Sequence, residues 1–239
     1  MRPREPPNFR YVIVYTFRGS LLSTHRSFNR PNQALVTFLI GHDEDKFEIH
    51  KCFACYHSPV LDRAFASSFI EGQTQTYRLE DTTSAAFGIV THWLYSQTLH
   101  YEVGWSISDE LLELANVWIL ADKLLIPRLQ NDAIDRISAL LEMSSDSDEA
   151  LPYLKYIYDN APPDGPLCRM AIARWNQHIG TVAFDDGNPN SLPPRLLYDL
   201  AHYMVCHVAE CDGNFCLSDP DVECKNGFDA RVRAFHVPT

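Results

Sequence analysis

The sequence predicts an α+β fold in which a small sheet comes first and helices follow. Two short segments rich in β-branched and other apolar residues lie between residues 34 and 51, and a third lies at 75–81. From residue 84 to about residue 210, apolar residues instead recur at intervals of three and four. Short apolar or alternating segments are typical of strands, and the longer spacing is typical of amphipathic helices.

The first two strands are expected to form a hairpin. The segment "ALVTFLIG" (34–41) ends at a glycine, and the turn "HDED" follows it. The next segment, "DKFEIHK" (45–51), places Phe47 and Ile49 on one face and polar residues on the other. Such alternation predicts a strand with one buried face. The third strand is expected at "QTYRLED" (75–81).

Serine and proline indicate where the first helix begins. The Ser58 hydroxyl can accept a free backbone N–H, and Pro59 fits the first helical position because no N–H is needed there. A helix is therefore expected from Ser58 to about Ser68. The preceding segment "CFACYH" (52–57) is too short for an independent helix. We expect it to form a packed turn or two that covers one end of the sheet.

The longest helical patterns lie in the middle of the chain. "SAAFGIVTHWLYS" (84–96) has an apolar stripe, and "DELLELANVWILADKLLI" (109–126) is apolar on almost every side. A helix that is apolar all round is expected to be central, so Leu114 and Trp118 are predicted to be buried. Ser108 is the expected cap of this helix. Pro127 should begin the next one.

The remaining boundaries follow from composition. Residues 1–33 form an Arg-rich segment that includes the strand-like "FRYVIVYTF", and 142–150 is an acidic, Ser-containing linker. Residues 151–210 have helical spacing interrupted by Pro, Gly and Asp, which predicts a helical extension. The Cys-rich segment 211–239 has no periodicity, so an irregular tail is expected.

The charge and cysteine content restrict the cellular setting and the partners. The net charge is −11, although six arginines precede residue 31 and Glu5 is the one acidic residue there. The acidic remainder should repel nucleic acid. No apolar run is long enough to span a membrane. The chain has seven cysteines, an odd number, which suggests reduced thiols in the cytoplasm or nucleus.

The order and spacing of these elements resemble the BTB/POZ family, in particular its fungal members. The resemblance covers residues 34 to about 141 and depends on the following stretches: "VTFLIGHDEDKFEIHK", "SPVLDRAF", "SFIEGQTQTYRLEDTTSAAFGIVTHWLY" and "VWILADKLLIPRLQNDAID". The helical extension also resembles that of fungal members. Cys52 and Ala54 depart from the family pattern, which usually has an acidic or polar residue and an aliphatic residue at these positions.

The resemblance implies a protein-interaction module with a BTB/POZ fold at 34–141. Members of this family commonly form homodimers, and many connect a cullin-type ubiquitin ligase scaffold to a substrate. Their cullin contact implies a partner surface near residues 98–122 of this chain. Four apolar or aromatic residues in the segment that precedes the central helix are therefore the candidate interaction residues: Tyr101, Val103, Trp105 and Ile107. Aromatic residues of this kind often dominate binding energy.

A metal-dependent regulatory protein is the alternative from another functional class. The end of the chain combines imidazole and thiol groups that suit zinc: His202, Cys206, His207, Cys211, Cys216, Cys224 and His236. However, these residues lack the paired Cys-x-x-Cys knuckles of zinc fingers. The prediction is therefore that the chain has no metal site.

No sequence pattern supports catalysis. The chain contains no Gly-x-Ser-x-Gly elbow, phosphate-binding glycine loop or His-Glu-x-x-His helix. Cys52 and Cys55 have the spacing of a redox or metal pair, but free cysteine often acts as a small apolar residue. We therefore expect both cysteines to point inward as core residues. Neither an enzymatic activity nor a cofactor is predicted.

Overall fold

The computed structural model describes residues 34–100, 104–143, 147–178, 192–210 and 235–239. The chain divides into two compact units, Met1–Ser84 and Ala85–Thr239. The predicted strand "FRYVIVYTF" lies outside the described residues, as does most of the Cys-rich tail.

The sheet of the first unit has three strands among the described residues. They are β1 (Leu35–Ile40), β2 (Asp45–His50) and β3 (Thr76–Leu79), in the order β2-β1-β3. β1 pairs with β2 as the predicted antiparallel hairpin and with β3 in parallel. Val36, Phe38 and Ile40 are buried, as expected for alternate residues on one face of a strand.

Three short helices lie between β2 and β3 in this unit: α1 (Lys51–His57), α2 (Pro59–Ala66) and α3 (Ile70–Thr74). Ser58 caps α2 as predicted, because its hydroxyl accepts the Leu61 N–H at 3.1 Å. The ring of Phe65 from α2 meets the ring of Phe38 edge-on at 5.9 Å. This aromatic contact packs α2 against β1.

The second unit begins in α4 (Ser84–Ser96) and continues with α5 (Ile107–Lys123) and α6 (Pro127–Met143). The predicted apolar stripe of α4 is buried, and so are Leu114 and Trp118 of α5. The prediction that α5 is central is therefore confirmed. Trp93 of α4 donates from its indole Nε1 to Asp132 of α6 at 2.7 Å, which connects these two helices.

The cap of α5 differs from the prediction. The helix begins at Ile107, and its cap is Ser106 instead of Ser108. The Ser106 hydroxyl accepts the Asp109 N–H at 3.1 Å and donates to the Asp109 carboxylate at 2.6 Å. Only the serine three residues before Asp109 can form this reciprocal pair, and that geometry decides where the helix starts.

The helical extension consists of α7 (Ser147–Asn160), α8 (Pro166–His178) and α9 (Pro194–Glu210). α7 begins inside the stretch predicted to be a linker, since acidic residues such as Asp148 and Glu149 are favoured in a first helical turn. Arg195 of α9 pairs with Asp199 at 2.9 Å and also with Asp164. The Tyr158 hydroxyl donates to Asp199 at 3.1 Å, which joins α7 to α9.

Candidate protein-interaction surface

Two adjacent apolar side chains are exposed in the segment between α2 and β3. Phe69 is 74% exposed and Ile70 is 66% exposed. Other exposed large apolar side chains of the described residues stand singly in the sequence, among them Tyr56, Leu125 and Tyr198. Single exposed apolar residues are common, whereas a contiguous apolar patch is a candidate contact for a partner. We call these two residues the Phe69–Ile70 pair.

The backbone under the Phe69–Ile70 pair is held by a tight turn. The Ser67 hydroxyl donates to the Ala64 carbonyl at 2.8 Å and accepts the Phe69 N–H at 3.2 Å. Gly72 lies so close to this turn that a Cβ there would stand 1.9 Å from the Ser67 carbonyl oxygen. A side chain at this position would force the turn and α3 apart, so glycine is required.

Hydrogen bonds from the Gln75 and Lys51 side chains hold the other end of the same segment. Gln75 has a left-handed backbone with φ of 52°, and its side-chain amide donates to the Phe65 carbonyl at 3.1 Å and the Gly72 carbonyl at 2.6 Å. Lys51 donates to the Gln75 side-chain oxygen at 2.8 Å and to the Phe65 carbonyl at 3.2 Å. The Phe69–Ile70 pair is therefore presented by a backbone that is connected at both ends, so little ordering entropy should be lost on binding.

The predicted interaction loop is described only in part. Tyr101 and Val103 lie outside the described residues. Trp105 and Ile107 are both half-buried, and Ile107 is the first residue of α5. Gly104 supplies the positive φ of 107° with which the chain approaches Trp105. The structure places Trp105 and Ile107 at the start of α5.

His92 and His100 lie just before that loop. Their rings stack with centroids 4.9 Å apart and planes inclined by 28°. Partial burial lowers the pKa of His92, and the neighbouring His100 lowers it further. The lowered pKa favours the uncharged form of the His92 imidazole in this contact.

The sequence of residues 26–138 matches the family model described as BTB/POZ domain. This part of the chain is a BTB/POZ domain. It includes the three strands, the helices α1 to α5 and most of α6, and the helical extension follows it. No curated protein matches the chain significantly.

The Phe69–Ile70 pair of the BTB/POZ domain was not among the predicted site residues. The signal was nevertheless present in "SSFIEGQT", where two apolar residues stand together in a short polar segment. Because they belong to no helical stripe or strand alternation, nothing in the local pattern predicts their burial. Adjacent apolar residues outside any periodic pattern could therefore have indicated an exposed contact.

The Cys52 and Cys55 side chains are only half-buried, so the expectation that they point inward as core residues is wrong. The buried residue of α1 is Ala54. The helix turns that one residue inward and leaves the two cysteines at its margin. Burial, followed by the nearby Asp62, raises the pKa of Cys55. A redox Cys-x-x-Cys pair requires a lowered thiol pKa, so this environment does not favour redox chemistry.

The expected result of replacing both Cys52 and Cys55 with alanine is a folded BTB/POZ domain with a small loss of stability. Both side chains are small and half-buried, so we expect a decrease of about 1 kcal/mol or less in the free energy of unfolding. Chemical denaturation measures this decrease. Loss of a bound metal or of a measurable thiol redox couple in the double variant would contradict the prediction.

The described residues give no support to the zinc alternative. They contain no group of three or more possible metal-binding side chains. His202 stacks on Tyr198, and His236 is engaged by Asp135 at 2.7 Å. The positions or side chains of the other candidates, Cys206, His207, Cys211, Cys216 and Cys224, lie outside the described part of the chain.

No helix in the part of the chain that the structure describes has both the length and the apolar composition needed to cross a membrane.

Proposed function

We propose that this protein is a non-catalytic, intracellular interaction module that forms homodimers and serves as an adaptor for a cullin-type ubiquitin ligase scaffold. The BTB/POZ match supports a role in protein binding. The observation that carries the proposal is the exposure of the Phe69–Ile70 pair on a clamped backbone. Such an apolar projection suits a pocket on a protein partner.

Two titratable groups of the extension, Cys168 and Tyr158, have raised pKa values. Burial, followed by the charge of Asp199, raises the pKa of Cys168 to about 11. The same two causes raise the pKa of Tyr158. Both groups remain protonated at neutral pH, whereas a nucleophile or base needs the deprotonated form. These displaced pKa values therefore reflect packing between α7, α8 and α9.

The loop before α5 is proposed as a second part of the partner surface. Trp105 is half-buried at the start of α5, and Tyr101, Val103 and Ile107 belong to the same segment. An aromatic side chain that is partly packed and partly open can contact a partner at little entropic cost.

The expected result of changing both Phe69 and Ile70 to alanine is a loss of about 30-fold or more in affinity for the amino-terminal domain of a cullin. Truncation of a hot-spot residue costs about 2 kcal/mol or more, which corresponds to that factor. Because both side chains are exposed, the melting temperature should remain nearly unchanged. Titration calorimetry measures the affinity, and Tyr198→Ala is the matched control because Tyr198 is also exposed.

Four results would contradict parts of this proposal. Unchanged cullin affinity in the Phe69→Ala, Ile70→Ala double variant would exclude the pair as the contact, and a wild-type chain that does not bind would exclude the adaptor role. A single monomeric species in sedimentation equilibrium at micromolar concentration would exclude homodimers. Full binding by a folded Tyr101→Ala, Trp105→Ala double variant would assign that loop a structural role.

A further inference from the structure

The last five residues form a described segment that packs on α6. Phe235 is 4% exposed, although the preceding residues 211–234 lie outside the described part of the chain. The segment 235–239 has no regular strand or helix beyond a single helical turn position at Phe235. Segment 235–239 was predicted to be part of an irregular tail, but the aromatic side chain of Phe235 is buried like that of a core residue.

A buried amide on α6 binds the backbone of this segment. The Asn131 Nδ2 donates to the Val237 carbonyl at 2.9 Å, and the Asn131 Oδ1 accepts the Val237 N–H at 2.7 Å. A side-chain amide has the donor and acceptor of a peptide group, so this pair reproduces the contact that a neighbouring strand would make. Asn131 is only 8% exposed, and without the segment both of its polar ends would need other partners.

A second residue of α6 binds the next side chain. Asp135 lies four residues after Asn131, which places both on the same face of the helix. The Asp135 carboxylate lies 2.7 Å from Nε2 of His236. The segment is thus bound by three different contacts at three consecutive residues: an apolar anchor at Phe235, a carboxylate at His236 and a backbone clamp at Val237.

These contacts have the features of peptide recognition. Main-chain hydrogen bonds supply affinity in extended peptide complexes, and pockets for neighbouring side chains supply specificity. Pro238 then follows, and it has no N–H with which to continue a backbone ladder. The contacts are therefore limited to a short Phe-His-aliphatic sequence.

We propose that the face of α6 around Asn131 and Asp135 is a peptide-binding site whose ligand is the chain's own segment 235–239, bound in cis. This site is separate from the Phe69–Ile70 pair and does not depend on the proposed cullin role. Its ligand class is an extended peptide with an aromatic residue, a histidine and an aliphatic residue in succession. Peptides of that pattern compete with segment 235–239 for the site.

The test uses the full chain with Phe235 changed to alanine and a fluorescent synthetic peptide of sequence Arg-Ala-Phe-His-Val-Pro-Thr. Removal of the anchor should release the segment, so the Phe235→Ala chain binds the peptide and the wild-type chain binds it at least tenfold more weakly. Adding Asn131→Ala should reduce peptide affinity by about tenfold or more, because two hydrogen bonds are lost. Met143→Ala, an exposed change on the same helix, is the control and should leave the affinity unchanged.

Two outcomes would overturn the proposal. The first is a folded Phe235→Ala chain that does not bind the peptide, or that binds it equally well with and without Asn131. Hydrogen exchange provides a measurement that does not depend on the folding of Phe235→Ala. The Val237 amide should be protected from exchange in the wild-type chain, and its protection factor should fall at least tenfold in Asn131→Ala. The second outcome that would overturn the proposal is a Val237 amide that exchanges freely in the wild-type chain.

Discussion

Changing Trp118 to alanine is expected to reduce the free energy of unfolding by about 3–5 kcal/mol, the range for truncating a large buried aromatic side chain. Trp118 is 1% exposed, and it lies one helical turn after the fully buried Leu114 on α5. α5 packs against both α6 and α7. Denaturation by urea or guanidinium chloride measures the change.

Trp118→Phe is the matched variant because it retains most of the ring. The indole Nε1 of Trp118 is buried and has no hydrogen-bond partner among the described residues. Phenylalanine removes this unsatisfied donor while leaving a smaller cavity, so we expect a loss of about 1 kcal/mol or less. A loss below about 1 kcal/mol for Trp118→Ala itself would show that α5 is peripheral.

Changing Arg136 to alanine is expected to reduce the free energy of unfolding by about 2–3 kcal/mol. Arg136 Nε lies 2.7 Å from the Glu110 carboxylate, and this pair connects α6 with α5. The Glu110 side chain is only 12% exposed, so the variant would leave a carboxylate in a poorly hydrated position without its partner. The Arg136 side chain is 31% exposed, which places the expected loss below that of a fully buried pair.

Two comparison variants separate burial from charge pairing. Lys46→Ala removes a partner of Glu48 from an ion pair whose side chains are 59% and 50% exposed, and it should cost about 0.5 kcal/mol or less. A double replacement of Glu110 and Arg136 by leucine should cost less than Arg136→Ala alone, because no unpaired charge remains. Equal losses for Arg136→Ala and Lys46→Ala would contradict the role given to burial.

Local sequence rules predicted the helix starts at Ser58–Pro59 and Pro127 and the hairpin of β1 and β2. Each of these features depends on residues that are neighbours in the chain, so the local sequence is sufficient to predict them. The same rules predicted Ser108 as the N-cap of α5, whereas the N-cap in the structure is Ser106. Two serines two residues apart are equivalent in composition, and only the reciprocal contact with Asp109 distinguishes them.

The candidate surfaces were harder to predict because exposure is a property of the folded chain. The sequence located an aromatic loop before α5, but the described part of it, Trp105 and Ile107, is half-buried. Phe69 and Ile70 are apolar residues outside any periodic pattern, so the local sequence does not predict their burial. They are exposed because Gly72 and Gln75 fix the turn that carries them, and these contacts involve Lys51 and Phe65 from elsewhere in the chain.

The sequence alone determined that this protein has a small sheet followed by helices, with an apolar helix at the centre and a resemblance to the BTB/POZ family over residues 34–141. Those conclusions rest on periodicity and on motif order, which are local properties. Only the tertiary structure decided that β3 lies parallel to β1, that Asn131 binds Val237 and that Phe235 is buried. The physical reason is distance: Asn131 and Val237 are 106 residues apart, and contacts over such separations form only when the intervening chain has folded.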